Sequence, residues 1–184
     1  QPEEVVQSVK EWGIHSICGN VEIQLREGKE DCGCNFEKGS ACNIYSKSWY
    51  PYAQSRLSNS SLNWMKGLPN FLEFDYDCKS FNVVHGSFTN VSEFIFKSTS
   101  RFIKSRNLDS SYSDVILAGH SGPPFNQILG EKHWLNPGVI GMPANDGTAR
   151  VWYMILDDED GLSFNHLSYE YDHEQTNKMG LGGN

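Results

Sequence analysis

Three short segments of this chain each end in a residue able to act as a ligand, followed or preceded by a glycine. Val115-Ile116-Leu117-Ala118 reads as an aliphatic strand that stops at Gly119 and delivers His120 to the turn beyond. Phe81-Asn82-Val83-Val84 runs into His85-Gly86, and Ile14-His15-Ser16-Ile17-Cys18 runs into Gly19-Asn20. In open α/β sheets, ligand chemistry collects at the carboxyl ends of the strands, where loops project polar groups beyond the sheet. Glycine lets the backbone turn sharply at such a point. Two imidazoles and an amide, Asn20, His85 and His120, are therefore the candidate functional residues.

The elements that must position them follow from periodicity. Val5, Val6, Val9 and Trp12 recur at helical spacing from an opening Pro2, with Gly13 as the stop. Ile14 to Cys18 then reads as a strand. A domain opening on a helix that feeds a strand is expected to have lost the strand before it. Val21 to Tyr45 is polar and aperiodic, a loop with room for a short helix. Asn59 is the expected cap of a helix carrying Leu62 and Met65, ended by Gly67-Leu68-Pro69. Phe71–Phe74 and Ser80–Val84 read as strands joined by an Asp75-Tyr76-Asp77 turn. Phe102 and Ile103 mark a short helix before the strand at Val115. Ala149–Leu156 and Leu162–Tyr171 read as paired strands around an Asp157–Gly161 turn. The texture thus passes from α/β to antiparallel β, as expected of two sheets packed face to face.

The bulk properties narrow the classes. A chain of 184 residues is expected to form one domain, residues 1–172, with 173–184 as a frayed tail. The formal charge of −8 and pI near 5.2 argue against nucleic acid or an anionic membrane as partner. No apolar run approaches the length of a membrane span and no signal-peptide pattern opens the chain, so a cytoplasmic protein is expected. Five cysteines, an odd count, fit an intracellular chain without a disulfide framework. Cys32, Cys34 and Cys42 lack zinc-finger spacing and read as incidental thiols of a loop. Asn59-Ser60-Ser61 and Asn90-Val91-Ser92 match the glycosylation acceptor pattern by chance.

Gly19-Asn20-Val21-Glu22 resembles the Gly-Asn-His-Asp/Glu motif of calcineurin-like metallophosphoesterases. Val84-His85-Gly86-Ser87 resembles their Val-His-Gly motif, and Gly119-His120-Ser121-Gly122 their Gly-His-Thr-His motif. Trp134-Leu135-Asn136-Pro137-Gly138 to Gly141-Met142-Pro143 is similar to the Asn-Pro-Gly segment that follows. The motifs run in the family's order across nearly the whole chain, closest to the bacterial and archaeal phosphodiesterase-like branch. The resemblance implies an α/β fold, a four-layer αββα sandwich of mixed sheets. It also implies two divalent ions that clamp a phosphate and generate a hydroxide. Asn20, His85 and His120 match ligands of one of those ions, in a donor set suited to Mn, Fe, Zn or Ni. The implied function is metal-dependent hydrolysis of a small phosphomonoester or phosphodiester.

The chain also departs from that pattern. It has neither the Asp-x-His strand nor the Gly-Asp motif whose aspartate bridges both ions. Gly122 replaces the second histidine of Gly-His-x-His, and Val21 replaces the histidine beside Asn20. The centre is thus expected to be degenerate or incomplete, with one ion, two or none. Two readings stay open: a phosphoesterase whose missing carboxylates lie upstream, and an inactive family member acting as a binding or structural module. The other histidines, His15, His133, His166 and His173, read as structural. The aromatic run Phe88–Phe96 and the Trp152-Tyr153 pair read as packing, and Asp157–Asp160 as a solvated hairpin tip.

Overall fold

The computed structural model describes residues 2–172; His173 and the expected tail lie outside them. Five strands form a mixed sheet in the order β1-β2-β3-β5-β4: β1 Phe71–Tyr76, β2 Lys79–Val84, β3 Val115–Ala118, β4 Phe125–Leu129 and β5 Lys132–Asn136. The central β2, β3 and β5 are parallel, and β1 and β4 close the edges antiparallel to β2 and β5. One helix, Arg101–Ser110, crosses from β2 to β3. The remaining strands, β6 Arg150–Asp157 and β7 Ser163–Glu170, form a two-stranded antiparallel sheet.

Alternation along β2 divides the core. Val84 faces the crossover helix and packs with Ile95, Leu108, Ile116, Phe125 and Trp134. Phe81 faces the other way and packs with Val115, Leu135 and, from the second sheet, Met154, Leu156 and Phe164. Successive strand residues point to opposite faces, so a continuous apolar strand can serve both layers. The mixed α/β sandwich expected from the sequence is therefore the one observed. Tyr153, Ile155, Leu167 and Tyr169 lie on the outer face of the second sheet and are exposed. Tyr153 consequently does not join the core, contrary to the sequence reading, because its pairing with Leu167 puts both outside.

Four helices precede the sheet: α1 Pro2–Trp12, α2 Asn20–Arg26, α3 Ala41–Arg56 and α4 Asn59–Lys66, with the crossover helix as α5. They enclose a small core of Leu25, Cys32, Cys34, Tyr50 and Met65. Within the stretch expected to be a loop with room for a short helix, α2 forms and α3 begins, most of α3 lying beyond it. The sequence hides α3, whose apolar residues keep no one-sided spacing and which carries Pro51 internally. The cap of α4 is Ser58, whose hydroxyl accepts from Ser61 N, rather than Asn59. Ile14–Cys18 forms no strand; Cys18 N donates to Pro69 O at 2.8 Å. Strand propensity without a partner ladder does not make a strand. The β1–β2 turn falls at Asp77-Cys78, both at positive φ (44° and 56°), two residues later than expected. Such a primed two-residue turn matches the twist of a hairpin.

Candidate metal centre

The parallel strands β2, β3 and β5 are neighbours, so their carboxyl ends lie side by side. His85 follows the end of β2, His120 lies two residues past β3, and Asn136 ends β5. Asn20 comes from the other half of the molecule, at the first turn of α2, whose capping box holds Glu22 Oε2 2.9 Å from Gly19 N. The structure brings Asn20, His85 and His120 together. His85 Nε2 lies 2.8 Å from Asn20 Oδ1 and 3.1 Å from His120 Nδ1.

Each is held by neighbours. The Asn20 side chain is almost wholly buried, and its Nδ2 donates to Cys32 O at 2.9 Å and to Cys34 Sγ at 3.1 Å. Those bonds assign the amide and aim Oδ1 at His85. Cys32 and Cys34, expected to be incidental loop thiols, are thus buried supports of the site, while Cys42 is exposed. Burial pushes the Cys34 thiol up to about 12, so it stays protonated and acts as a neutral acceptor.

His120 sits in a tight turn. Ser121 N donates to Gly119 O at 2.7 Å, closing a three-residue turn around His120 at φ 59°. Left-handed backbone at a non-glycine residue is uncommon and concentrates at functional positions. Asn136 pins this turn, its Nδ2 donating to Gly119 O at 3.2 Å and to Ser121 Oγ at 2.9 Å. Phe94 stacks on the His120 ring with centroids 4.1 Å apart, so one member of the aromatic run covers the site.

Burial lowers the pKa of both imidazoles. That of His120 falls to about 4, through burial first and the neighbouring His85 second, with the Ser92 backbone opposing weakly. That of His85 falls through burial alone. Both rings are therefore neutral at pH 7, the form that ligates metals.

The donor set fits a metal ion. Asn20 Oδ1 can only accept, and His85 Nε2 carries at most one proton, which cannot satisfy both Oδ1 and His120 Nδ1 fully. A cation drawing on all three lone pairs removes the shortfall. Donors each about 2.0–2.2 Å from one ion stand about 3 Å apart at right angles, close to the observed separations. No group of three or more His, Cys, Asp or Glu suited to a metal occurs among the described residues; the candidate ligands are two imidazoles and an amide.

A cleft of about 230 Å³ opens beside His85, with Ile23, Phe71, Phe88, Asn70 and Asn90 among its walls. The departures from the motifs are visible too. Val21 is half-buried against the small helical core. Gly122, at φ 86°, has open space where a side chain would stand. His166 Nε2 donates to Asn136 O at 2.8 Å, the backbone of the residue that pins the His120 turn. The tip from Asp158 to Asp160 is exposed.

No family model matches the sequence, and no curated protein matches it. Solved structures do. A hypothetical protein of Pyrococcus horikoshii OT3 superposes with a TM-score of 0.74 at 17% identity, over 98% of this chain and 74% of that one. A metallophosphoesterase from Sphaerobacter thermophilus superposes with a TM-score of 0.71 at 20% identity, over 100% of this chain and 78% of that one. With strand-end histidines at the carboxyl edge of its mixed sheet, the chain shares the fold of these two structures, one of them a metallophosphoesterase.

Proposed function

We propose that this chain binds one divalent transition metal through Asn20, His85 and His120 and hydrolyses small phosphate esters with it. The convergence of Asn20 Oδ1, His85 Nε2 and His120 Nδ1 within 2.8 and 3.1 Å carries this reading. The fold's metallophosphoesterase neighbour supports divalent metal use. Mn, Fe, Zn or Ni suit the imidazole and amide donors. When bound, the ion would supply Lewis-acid polarisation of a phosphoryl oxygen and a lowered pKa for a coordinated water. The chain's own residues orient the donors, keep both imidazoles neutral and shield His120 behind Phe94. The substrate class is a small cytoplasmic phosphomonoester or phosphodiester, admitted beside His85; the acidic chain does not favour nucleic acid. No helix among the described residues is long and apolar enough to cross a membrane.

Elemental analysis of the purified chain, beside His85→Ala and His120→Ala, tests the centre. One equivalent of transition metal in the parent, lost in both variants, is the expected result. Hydrolysis of an activated aryl phosphate with added Mn²⁺ tests the reaction. Turnover no greater than that of an Asn20→Ala, His85→Ala double variant removes the enzymatic claim.

A second reading is favoured by Gly122 and Val21. With open space at one position and a core aliphatic at the other, the same fold serves as a non-catalytic binding module. Mn²⁺-dependent turnover abolished by His120→Ala rejects it.

A further inference from the structure

The aromatic run between β2 and α5 touches the surroundings of all three candidate ligands. Ile95 anchors it, with its side chain buried in the core and its carbonyl accepting from Ser121 Oγ at 2.7 Å, next to His120. Phe94 stacks on the His120 ring, and the Ser92 backbone stands near enough to that ring to oppose the fall in its pKa. Gly86, which follows His85, has no room for a Cβ: one would stand 2.5 Å from Val91 O and 2.9 Å from Glu93 O. The tie to Asn20 is made by Ser92. Its N donates to Asn90 Oδ1 at 3.0 Å, and its hydroxyl donates to Gly33 O at 2.6 Å, across 59 residues of sequence. Gly33 lies between Cys32 and Cys34, whose carbonyl and thiol hold Asn20 Nδ2.

Asn20 and His120 meet His85 Nε2 from different halves of the molecule, one from the first turn of α2 and one from the end of β3. Their spacing therefore depends on ties between those halves. We propose that Ser92 is a positioning residue of the metal centre, its hydroxyl locking the loop that aims Asn20 to the run that covers His120. This role rests on the metal-binding reading of the three ligands. An O–H···O bond of 2.6 Å is at the short end of the ordinary range, as a firmly held contact requires. The acceptor is the carbonyl of the peptide that joins Gly33 to Cys34, so movement there passes directly to the thiol beside Asn20. Groups that orient ligands without touching the ion are typically worth about 10–100-fold in metal affinity.

The test compares Ser92→Ala with Ser92→Thr, which keeps the hydroxyl, in the full chain. Thr99→Ala is the control: it removes a bond at the far end of the same run, where Thr99 Oγ1 accepts from Phe96 N at 3.0 Å. In metal-free samples, NMR follows the Asn20 side-chain amide and the His120 ring. Ser92→Ala should shift both signals, Ser92→Thr should restore them, and Thr99→Ala should leave them in place. Zn²⁺ affinity, read by competition with a chelator, should fall about tenfold in Ser92→Ala and stay at the parent value in the other two. Unmoved signals in Ser92→Ala, no recovery in Ser92→Thr, or an equal loss of affinity in Thr99→Ala would each overturn the proposal. A parent chain that takes up no Zn²⁺ instead counts against the metal centre itself, and the metal-free spectra then decide whether Ser92 fixes Asn20 and His120.

Discussion

Cys34 Sγ lies 3.1 Å from Asn20 Nδ2 and, with Cys32 O, turns the Asn20 carbonyl toward His85. A thiol from an apparently featureless loop thus supports a metal-ligand candidate fourteen residues earlier in the chain. Residues that orient a ligand are typically worth about 10–100-fold in metal affinity. Because sulfur is a weak acceptor and Cys32 O remains, Cys34→Ala should lower affinity by about tenfold with little change in fold. A competition titration against a metallochromic chelator reads that change.

The imidazoles set a pH dependence in the metal-free chain. His120 holds its proton below about pH 4 when folded, and an unfolded histidine below about 6.5. Between those values the unfolded state binds more protons, so stability is full above pH 6.5 and is lost as pH falls toward 4. The loss stays below about 3 kcal/mol, because His120 is only partly buried and solvent screens its neighbours. Urea midpoints of the chelator-treated protein from pH 4 to 7 should show that decline, and His120→Asn should flatten it.

Gly138 closes the segment beyond β5 at φ 96°, and a Cβ there would collide with Trp152 Cβ. Backbone and side chain are both fixed by this contact, since Trp152 N bonds to Val139 O at 2.8 Å and its Nε1 to Asp146 at 2.8 Å. Gly138→Ala should therefore destabilise by about 1–3 kcal/mol, the range for overpacking, before any left-handed strain is added. Chemical unfolding measures it.

Lys104 is fully buried on α5, where its Nζ donates to Lys97 O at 3.0 Å, Thr99 O at 2.9 Å and Gln127 Oε1 at 2.5 Å. It ties the loop before the helix to β4. Lys104→Met keeps the apolar stem but orphans these acceptors, with an expected loss of about 1–3 kcal/mol for each that stays buried. The metal content should not change, because no bond in this group reaches the centre. Calorimetric melting and elemental analysis on one sample separate the two outcomes.

The sequence by itself determined the local grammar. Helical spacing announced α1, aliphatic runs announced β2 and β3, and the turn chemistry around Asp157–Gly161 announced the β6–β7 hairpin. It also singled out Asn20, His85 and His120, because glycine beside a polar ligand at a strand end is a pattern of neighbours in the chain. Tertiary structure decided the rest. Ile14–Cys18 has strand composition and no ladder to join. Tyr153 is outside because of its register with Leu167, and α3 forms with no amphipathic signal to declare it. Above all, the approach of His85 to His120 depends on β2 and β3 being adjacent and parallel, and the aim of Asn20 on a thiol and a carbonyl from another loop. Propensity and periodicity act over a few residues. The site is assembled by contacts spanning 35 and 65 residues, which only the packed sheet brings within hydrogen-bond reach.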